Sequence, residues 1–233
     1  RGNERRELFR EDSDYKEFYK RAAQAASETG QKCLAWALIP NHFHLLILRG
    51  KRPLSDTMRK LMTGYVWYFN RRYRRAGHLF QDRYKAILCE EESYLLEVAA
   101  YIHLNPMRAK LVESYKDLAD YKWCGHGEVL AGGGRLVARD YLLEHFAGTE
   151  AAAVKKYDLF AQERVGRYKK GEYSGGGLLR SAGGADIAAG CSRRGEKELF
   201  DERVLGGGGF VESVLKELDI QETRRADKTG IIA

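Results

Sequence analysis

The chain has 233 residues and an apolar share of 44%, so it can bury a core of ordinary globular size. No apolar run approaches the roughly 18 residues that a membrane-spanning helix needs, which argues against a membrane protein. The 40 Lys and Arg residues outnumber the 33 Asp and Glu residues, and the formal charge is +7. The excess is concentrated between Arg49 and Lys85, a pattern typical of a protein that binds a polyanion.

The four cysteines are scattered and include no C-x-x-C pair. A disulfide scaffold is therefore not indicated, and we expect a reduced, cytoplasmic protein. The sequence opens without Met and ends abruptly with Ile231, Ile232 and Ala233, so we expect a fragment of a longer chain.

The first predicted elements are a helix and a hairpin. Aromatic and alanine residues recur at helical spacing over residues 14–29, and Gly30 is predicted to end that helix. Two extended runs follow at residues 33–39 and 42–48. Only two residues separate them, which predicts an antiparallel hairpin or one sharply bent strand.

The next predicted elements are a helix, a strand and a helix. Ser55 is predicted to cap a second helix, which carries an apolar stripe and ends in an arginine cluster. The mixed run at residues 79–88 is interpreted as a strand. A third helix is predicted over residues 93–104, where Pro106 disfavours helical geometry at the residue before it.

The order helix, strand, strand, helix, strand, helix predicts an α+β fold with helices packed on an antiparallel or mixed sheet. Beyond Trp123 the chain contains several glycine-rich segments between helical pieces near residues 138–147, 149–165 and 209–218. This half is interpreted as an extension joined by linkers.

The most informative motif is His42-Phe43-His44 in the second extended run. Side chains alternate across a strand, so the two histidines share one face while Phe43 points to the other, toward a core. Two neutral imidazoles held in this way could bind one metal ion. Alone the pattern is weak, because strand histidines are more often hydrogen-bonded bystanders.

The third predicted helix carries a second candidate pair, Tyr101 and Asn105. At about 100° per residue, these positions lie within roughly 40° of each other on the flank of the apolar stripe. A helix packed on a sheet could therefore direct both side chains toward the histidines. Taken singly, Tyr101 could equally be a half-buried aromatic residue and Asn105 a helix-ending residue.

Three ordered blocks of the sequence resemble the signatures of the REP-associated tyrosine transposases, a branch of the single-tyrosine HUH transposases. The blocks are IPNHFHLL at residues 39–46, GHLFQDRYK at residues 77–85 and YIHLNPMRA at residues 101–109. The resemblance covers roughly residues 1–125, and residues 205–218 resemble a short element of longer members. The family normally begins with a strand that would precede Arg1, so we expect a sheet neighbour to be missing here.

The resemblance implies a ferredoxin-like transposase domain at residues 1–125, followed by a helical, glycine-rich extension at residues 126–233. It implies Tyr101 as the nucleophile, with His42, His44 and Asn105 as metal ligands. The family cleaves single-stranded DNA near hairpins and forms a 5′-phosphotyrosine and a free 3′-hydroxyl. The implied partner is single-stranded or hairpin DNA, and the protein is expected to be a monomer or a homodimer.

A tyrosine hydroxyl has an ordinary pKa of about 10, so such a nucleophile needs an activated phosphate. A divalent cation could supply that activation by gripping a non-bridging phosphate oxygen. Imidazole ligands favour zinc or other transition metals, whereas the resemblance implies Mg²⁺ or Mn²⁺, which we expect here. His78 could be a fourth ligand, but a role in DNA binding or structure is favoured for it.

Basic residues around the motifs are the candidates for contacts with phosphates, and nearby aromatic residues could stack on bases. The predicted DNA-binding residues are Arg71, Arg72, Arg74, Arg75, Gln81, Arg83, Lys85 and Arg108. Gln81 could read a base edge or make an internal contact. The candidates for stacking are Tyr73, Phe80 and Tyr84.

Two other functions compete with the transposase hypothesis. The chain could be a DNA- or RNA-hairpin-binding protein that keeps the fold without cleavage. It could also be a small metallohydrolase that uses His42 and His44 with a water nucleophile, although no nearby Asp or Glu motif supplies a general base.

Overall fold

A computed structural model describes residues 1–89, 91–166, 204–205, 213–214 and 216. The chain divides into two units, and each is described by itself. The first contains residues 1–84 and 96–168, and the second contains residues 85–95 and 169–233. Among the described residues, no helix combines the length and the apolar character that crossing a membrane would require.

The first unit begins with a short 3-10 turn, Asn3–Arg5, and the helix α1, Asp12–Thr29. Gly30 ends α1 with a φ of 67°, a left-handed conformation that glycine adopts without steric cost. The strands β1, Lys32–Ile39, and β2, His42–Leu48, follow. They pair as an antiparallel hairpin, with Ile39 opposite His42 and Ala37 opposite His44. The predicted hairpin is therefore confirmed.

The N-terminal segment holds the turn of this hairpin. The Gly2 N–H donates to the Asn41 carbonyl at 2.8 Å, and the Leu8 N–H donates to the Pro40 carbonyl at 2.7 Å. A Cβ on Gly2 would lie 2.1 Å from the carbonyl oxygen of Arg6, so the chain approaches itself there too closely for any larger residue. Because the turn leads directly into β2, these bonds fix the start of the histidine-bearing strand.

The helix α2, Leu54–Arg72, packs with α1 on one face of the hairpin. Its inward side chains include Leu61, Tyr65 and Phe69, all of which are fully buried. The Tyr65 hydroxyl donates to the Leu8 carbonyl at 2.6 Å, so the core also includes the segment before α1. The predicted apolar stripe on this helix is confirmed.

The opposite edge of β1 is covered by the chain that follows residue 120. The Leu38 N–H donates to the Trp123 carbonyl at 2.9 Å, and isolated bridges join Ala37 to Cys124 and Cys33 to Val137. Later residues therefore extend the hydrogen bonding of the hairpin without forming another long strand.

The helices α3, Glu91–His103, and α4, Asn105–Arg108, come next, and α3 spans the boundary between the two units. The rest of the first unit is helical, with short elements around a buried polar cluster that is described below. These helices are α5, Tyr115–Leu118; α6, Gly125–Ala131; α7, Arg139–Glu144; and α8, Glu150–Gln162. In the second unit, β3, Leu88–Cys89, pairs in parallel with β4, Val204–Leu205.

The α+β class, with an antiparallel sheet and helices packed on it, is confirmed. The helices predicted near residues 138–147 and 149–165 are α7 and α8. Of the helix predicted at residues 209–218, only residues 213–214 and 216 are described, and they are helical. The glycine-rich segments beyond residue 166 lie outside the described residues. The division at residues 125 and 126 stays a prediction.

Three local predictions were wrong, and two of them concern residues before α3. The run at residues 79–88 is not a continuous strand, since only an isolated bridge from Phe80 to Gly2 and the two residues of β3 are extended pairs. Residues 81–83 are all exposed, so no buried face holds a strand in register there. Ser55 does not cap α2, because the helix begins one residue earlier and Pro53 occupies the capping position.

Pro106 ends α3 but does not end helical geometry. It lies in the first turn of α4, where the N–H that proline lacks would have no partner within the helix. The Arg108 N–H donates to the Leu104 carbonyl at 3.2 Å, and the Ala109 N–H donates to the Asn105 carbonyl at 2.8 Å. Asn105 is therefore helical, contrary to the prediction.

Candidate active site

The strand β2 sends its two histidines and its phenylalanine to opposite faces. The Phe43 ring lies 4.8 Å from that of Phe18 in α1, on the side of the core. The His42 and His44 rings lie 4.9 Å apart, edge to face. Because strand side chains alternate, this pair projects from the face opposite to α1. The alternation predicted from the triplet is confirmed.

His42 is oriented by the residue before it. Its Nδ1 lies 2.6 Å from Oδ1 of Asn41. An amide oxygen only accepts hydrogen bonds, so Nδ1–H of His42 is the donor and the lone pair of the neutral ring is at Nε2. Burial and, to a smaller extent, the positive charge of Arg1 together lower the pKa of His42 to about 4. The ring is therefore neutral near pH 7 and can act as a ligand.

His44 carries a buried nitrogen with no hydrogen-bond partner, Nε2. Burial and, to a smaller extent, the neighbouring His42 and Arg108 together lower the pKa of His44 to about 3. An unpaired polar atom in such a position costs free energy, about 1 to 3 kcal/mol in typical cases. A ligand at Nε2 would remove that cost.

Tyr101 lies beside this pair. It belongs to α3, and the centre of its ring is 6.4 Å from that of His44, edge to face. Only 2% of Tyr101 is exposed. The guanidinium of Arg108 lies 4.4 Å from the centre of the same ring, within the range of a cation–π contact. The phenol is thus near one imidazole and beneath one cation.

Asn105 lies one turn after Tyr101 and is also buried. Its Nδ2 donates to the Tyr101 carbonyl at 3.1 Å, which ties the first turn of α4 to the end of α3. This bond uses the amide nitrogen of Asn105 and leaves Oδ1 as the only potential ligand atom of the side chain. The i, i+4 relationship inferred from the sequence is retained although the helix is interrupted between the two residues.

The described part of the chain contains no group of three or more His, Cys, Asp and Glu residues arranged to hold a metal ion. The candidate donors are instead two imidazole nitrogens and one amide oxygen. Such a small set suits a cation that keeps open positions for water or phosphate oxygens. The unpaired Nε2 of His44 and the fixed tautomer of His42 fit this use.

The predicted DNA-binding arginines near the end of α2 have different surroundings. Arg72 pairs with Glu11 at 2.5 Å and lies 3.7 Å from Asp14, so it has acidic partners within the protein. Arg75 is half-buried, with its guanidinium 5.7 Å from the Phe69 ring centre. Arg71 and Arg74 are exposed.

The other predicted contacts lie on the polypeptide between α2 and α3. Gln81 and Arg83 are exposed, and the Gln81 N–H donates to the Arg1 carbonyl at 3.0 Å. His78 is exposed as well. Lys85 is exposed and belongs to the second unit. Arg108 alone in the predicted DNA-binding set has a described contact with Tyr101.

Two residues with a potential role escaped the sequence analysis. Asn41 orients His42, and its position between Pro40 and the histidine was the only available signal. Trp67 is 62% exposed on α2, whereas the sequence analysis considered three other aromatic residues for stacking. A helical projection would have placed Trp67 opposite the apolar stripe.

One comparison with known proteins found a match to a protein family, over the first part of the chain. The search of curated proteins and the search of solved structures found no match. The matched range in the family comparison includes both histidines, Tyr101 and Asn105. Residues 1–105 match the family described as Transposase IS200 like.

Proposed function

We propose that this protein is a single-stranded DNA endonuclease and strand transferase of the transposase type, with Tyr101 as its nucleophile. The observation that carries the proposal is the 6.4 Å separation between the ring centres of Tyr101 and His44, next to the His42 ring. A phenol and a pair of neutral imidazoles are the groups that metal-assisted attack on a phosphodiester requires. The family match supports the same chemistry.

In the proposed reaction, the Tyr101 oxygen attacks the phosphorus of a DNA strand near a hairpin. A bond forms between the phenolic oxygen and phosphorus, and the bond from phosphorus to the 3′-oxygen breaks. The products are a 5′-phosphotyrosine and a 3′-hydroxyl, which takes up the proton that the phenol loses. No water is consumed and nothing is oxidised, so a 3′-hydroxyl can reverse the step and join another end.

His42 and His44 would hold a divalent cation, Mg²⁺ or Mn²⁺, through their Nε2 atoms, and Asn105 would offer Oδ1. When bound, the cation supplies a positive charge that stabilises the developing charge on the phosphate. Asn41 keeps the lone pair of His42 at Nε2 through its bond to Nδ1. The lowered pKa values keep both rings neutral, so protons do not compete with the cation at neutral pH.

Arg108 would bind the phosphate that Tyr101 attacks. Its guanidinium covers the Tyr101 ring at 4.4 Å, and Tyr101 is buried. Movement of this guanidinium would uncover the face of the ring, and a phosphate is a suitable group to attract it. The exposed Arg71, Arg74 and Arg83 would bind the strand farther away.

The test is incubation of the protein with labelled single-stranded hairpin DNA and Mn²⁺, followed by denaturing electrophoresis. We expect a protein-linked band that is lost in Tyr101→Phe and strongly reduced in His44→Asn. Tyr94→Phe is the matched control, because it removes a buried tyrosine hydroxyl elsewhere on α3. A band that persists in Tyr101→Phe would overturn Tyr101 as nucleophile.

A second function is favoured by the burial of Tyr101 and the cover that Arg108 provides. A protein that binds DNA or RNA hairpins without cleaving them would have no need of an accessible phenol. Binding without a covalent product, at every cation tested, would support that function. A free nicked product without a covalent band would instead support a metallohydrolase.

The proposal includes membership of the REP-associated branch and a location in the cytoplasm. Both rest on the sequence blocks and cysteine usage described above. The acting species would be a monomer or a homodimer, which light scattering with and without DNA would distinguish.

A further inference from the structure

We propose that Trp67 and Arg71, on the outer face of α2, form a subsite that stacks one unpaired base of a nucleic acid strand. The inference rests on the proposed function, because it names a binding subsite for the same single-stranded substrate. Trp67 and Arg71 lie outside the sequence blocks that contain the two histidines and Tyr101.

Trp67 is exposed because of its position on the helix. At about 100° per residue, Trp67 lies roughly 160° from both Tyr65 and Phe69, which are fully buried on the inner face of α2. Its exposed fraction is 62%, compared with 2% for Trp36. Leaving an indole in water forgoes the stabilisation that burial of so large an apolar surface provides. A tryptophan in this place is therefore suited to contact a partner.

Arg71 lies one turn after Trp67 and gives this surface a positive charge that can attract an anionic partner. Its guanidinium is 5.4 Å from the centre of the Trp67 ring. Arg74, just beyond the end of α2, is exposed as well. Within the described residues, no ion pair joins Arg71 or Arg74 to a carboxylate.

Other cations of α2 behave differently. Lys60 pairs with Glu28 at 2.6 Å, and Arg59 lies 3.6 Å from Asp56. Arg72 has Glu11 as its partner. The positive charge near Trp67 is thus unneutralised on a helix whose other cations are largely paired, which makes this face complementary to phosphates.

An aromatic surface beside exposed guanidinium groups matches unpaired nucleotides. Every base has a π face that can stack on indole, and the neighbouring phosphates can bind arginine. A base inside a duplex is already stacked on both sides, so a duplex offers phosphates but no free face. The subsite should therefore distinguish single strands or loops from duplexes.

Fluorescence provides the test, because Trp67 is much more exposed than Trp36. The probe is an oligothymidylate of about 20 nucleotides, which exceeds the typical site size of a single-strand-binding domain. We expect it to quench the wild-type emission and to protect it from acrylamide, whereas a duplex of equal length should do neither. Trp67→Phe should lose the fluorescence change but retain most of the affinity.

Affinity measurements separate stacking from charge. Trp67→Ala should weaken binding of the oligonucleotide by about 10-fold, within the range expected for loss of one stacked base. Arg71→Ala should weaken it more than Arg59→Ala, which removes an equal charge from the same helix. These three variants and Trp67→Phe all alter exposed side chains, so their folding should match the wild type.

The inference is overturned if Trp67→Ala binds the oligonucleotide as tightly as the wild type, or if the duplex protects Trp67 equally well. It is also overturned if the wild type does not bind the oligonucleotide. A covalent band from hairpin DNA in Trp67→Ala, with unchanged affinity, would reject the subsite and leave the proposed function standing. Stacking of the oligonucleotide on Trp67, without any covalent band from hairpin DNA, would support the subsite and reject the proposed function.

Discussion

The guanidinium of Arg108 lies 4.4 Å from the centre of the Tyr101 ring, and Tyr101 is 2% exposed. The two residues belong to successive helices, α3 and α4, which the bond from Asn105 Nδ2 to the Tyr101 carbonyl holds together. If Tyr101 is the nucleophile, as proposed above, this cation would serve two purposes. It would cover the ring before DNA binds, and it would be close enough to bind the phosphate afterwards.

Arg108→Ala should therefore slow covalent attachment more than it weakens DNA binding. Removing one charged donor from a reacting phosphate typically costs about 100-fold in rate. Arg108→Lys should restore little, because an ammonium does not reproduce the planar, bidentate contact of a guanidinium. Single-turnover formation of the protein–DNA band at saturating DNA measures the rate.

The control for this experiment is Arg74→Ala, which removes an exposed arginine without a described contact to Tyr101. It should affect affinity and leave the saturated rate unchanged. Equal rates for Arg108→Ala and the wild type would contradict the assigned role.

Asn41→Ala should weaken metal binding without removing a ligand. The substitution deletes the acceptor for Nδ1–H of His42, so the ring can rotate or change tautomer. Loss of such an orienting partner typically reduces metal affinity by about 10- to 100-fold. Titration calorimetry with Mn²⁺ measures the effect. Asn41→Asp retains an acceptor oxygen and should bind Mn²⁺ more tightly than Asn41→Ala, and the opposite order would reject the orienting role.

The sequence was sufficient for the hairpin and for the sidedness of its histidines. Both depend on local rules: alternation along a strand places Phe43 toward Phe18, and the short join between the runs fixes antiparallel pairing. The i, i+4 pairing of Tyr101 with Asn105 was also local. The proximity of Tyr101 to His44 needed the resemblance as well, because periodicity alone does not say which helix faces which strand.

Features that depend on distant partners were missed. Phe80 pairs with Gly2, a residue distant from it in the sequence, so no local pattern at residues 79–88 could distinguish one bridge from a full strand. Arg72 and Glu11 are 61 positions apart. The bond from His42 to Asn41 depends on side-chain torsions, which a sequence pattern does not specify.

A buried polar cluster predicts loss of stability in acid. His103 and His126 both bond the Tyr157 hydroxyl through Nδ1, at 2.7 and 2.8 Å, and both rings are fully buried. Burial lowers the pKa of His126 from 6.5 to about 4 and the pKa of His103 well below 6.5. The unfolded chain therefore takes up protons first as the pH falls.

The free energy of unfolding should be highest above pH 6.5 and should decrease as the pH falls from 6.5 toward 4. Each buried imidazole contributes a slope on the order of 1 kcal/mol per pH unit in that window. Urea unfolding at a series of pH values measures the slope. His126→Gln removes one titrating group, so its curve should be shallower than that of the wild type, and a parallel curve would contradict the assignment.

Arg72 and Arg74 were both predicted to bind DNA, but their surroundings differ, so their substitutions should have different effects. Arg72→Ala should lower the thermal midpoint, because it deprives Glu11 and the buried Asp14 of their nearby cation. Arg74→Ala should leave the midpoint unchanged, since alanine and arginine bear similar strain at the φ of 50° found there.

For binding to single-stranded DNA, Arg74→Ala should make the dependence of log affinity on log salt concentration shallower by about 0.7, the value for one lost phosphate contact. Arg72→Ala should change that slope less. Melting curves and salt titrations on both variants measure the two effects, and a larger change in salt slope for Arg72→Ala would show that Arg72 leaves its acidic partners to bind DNA.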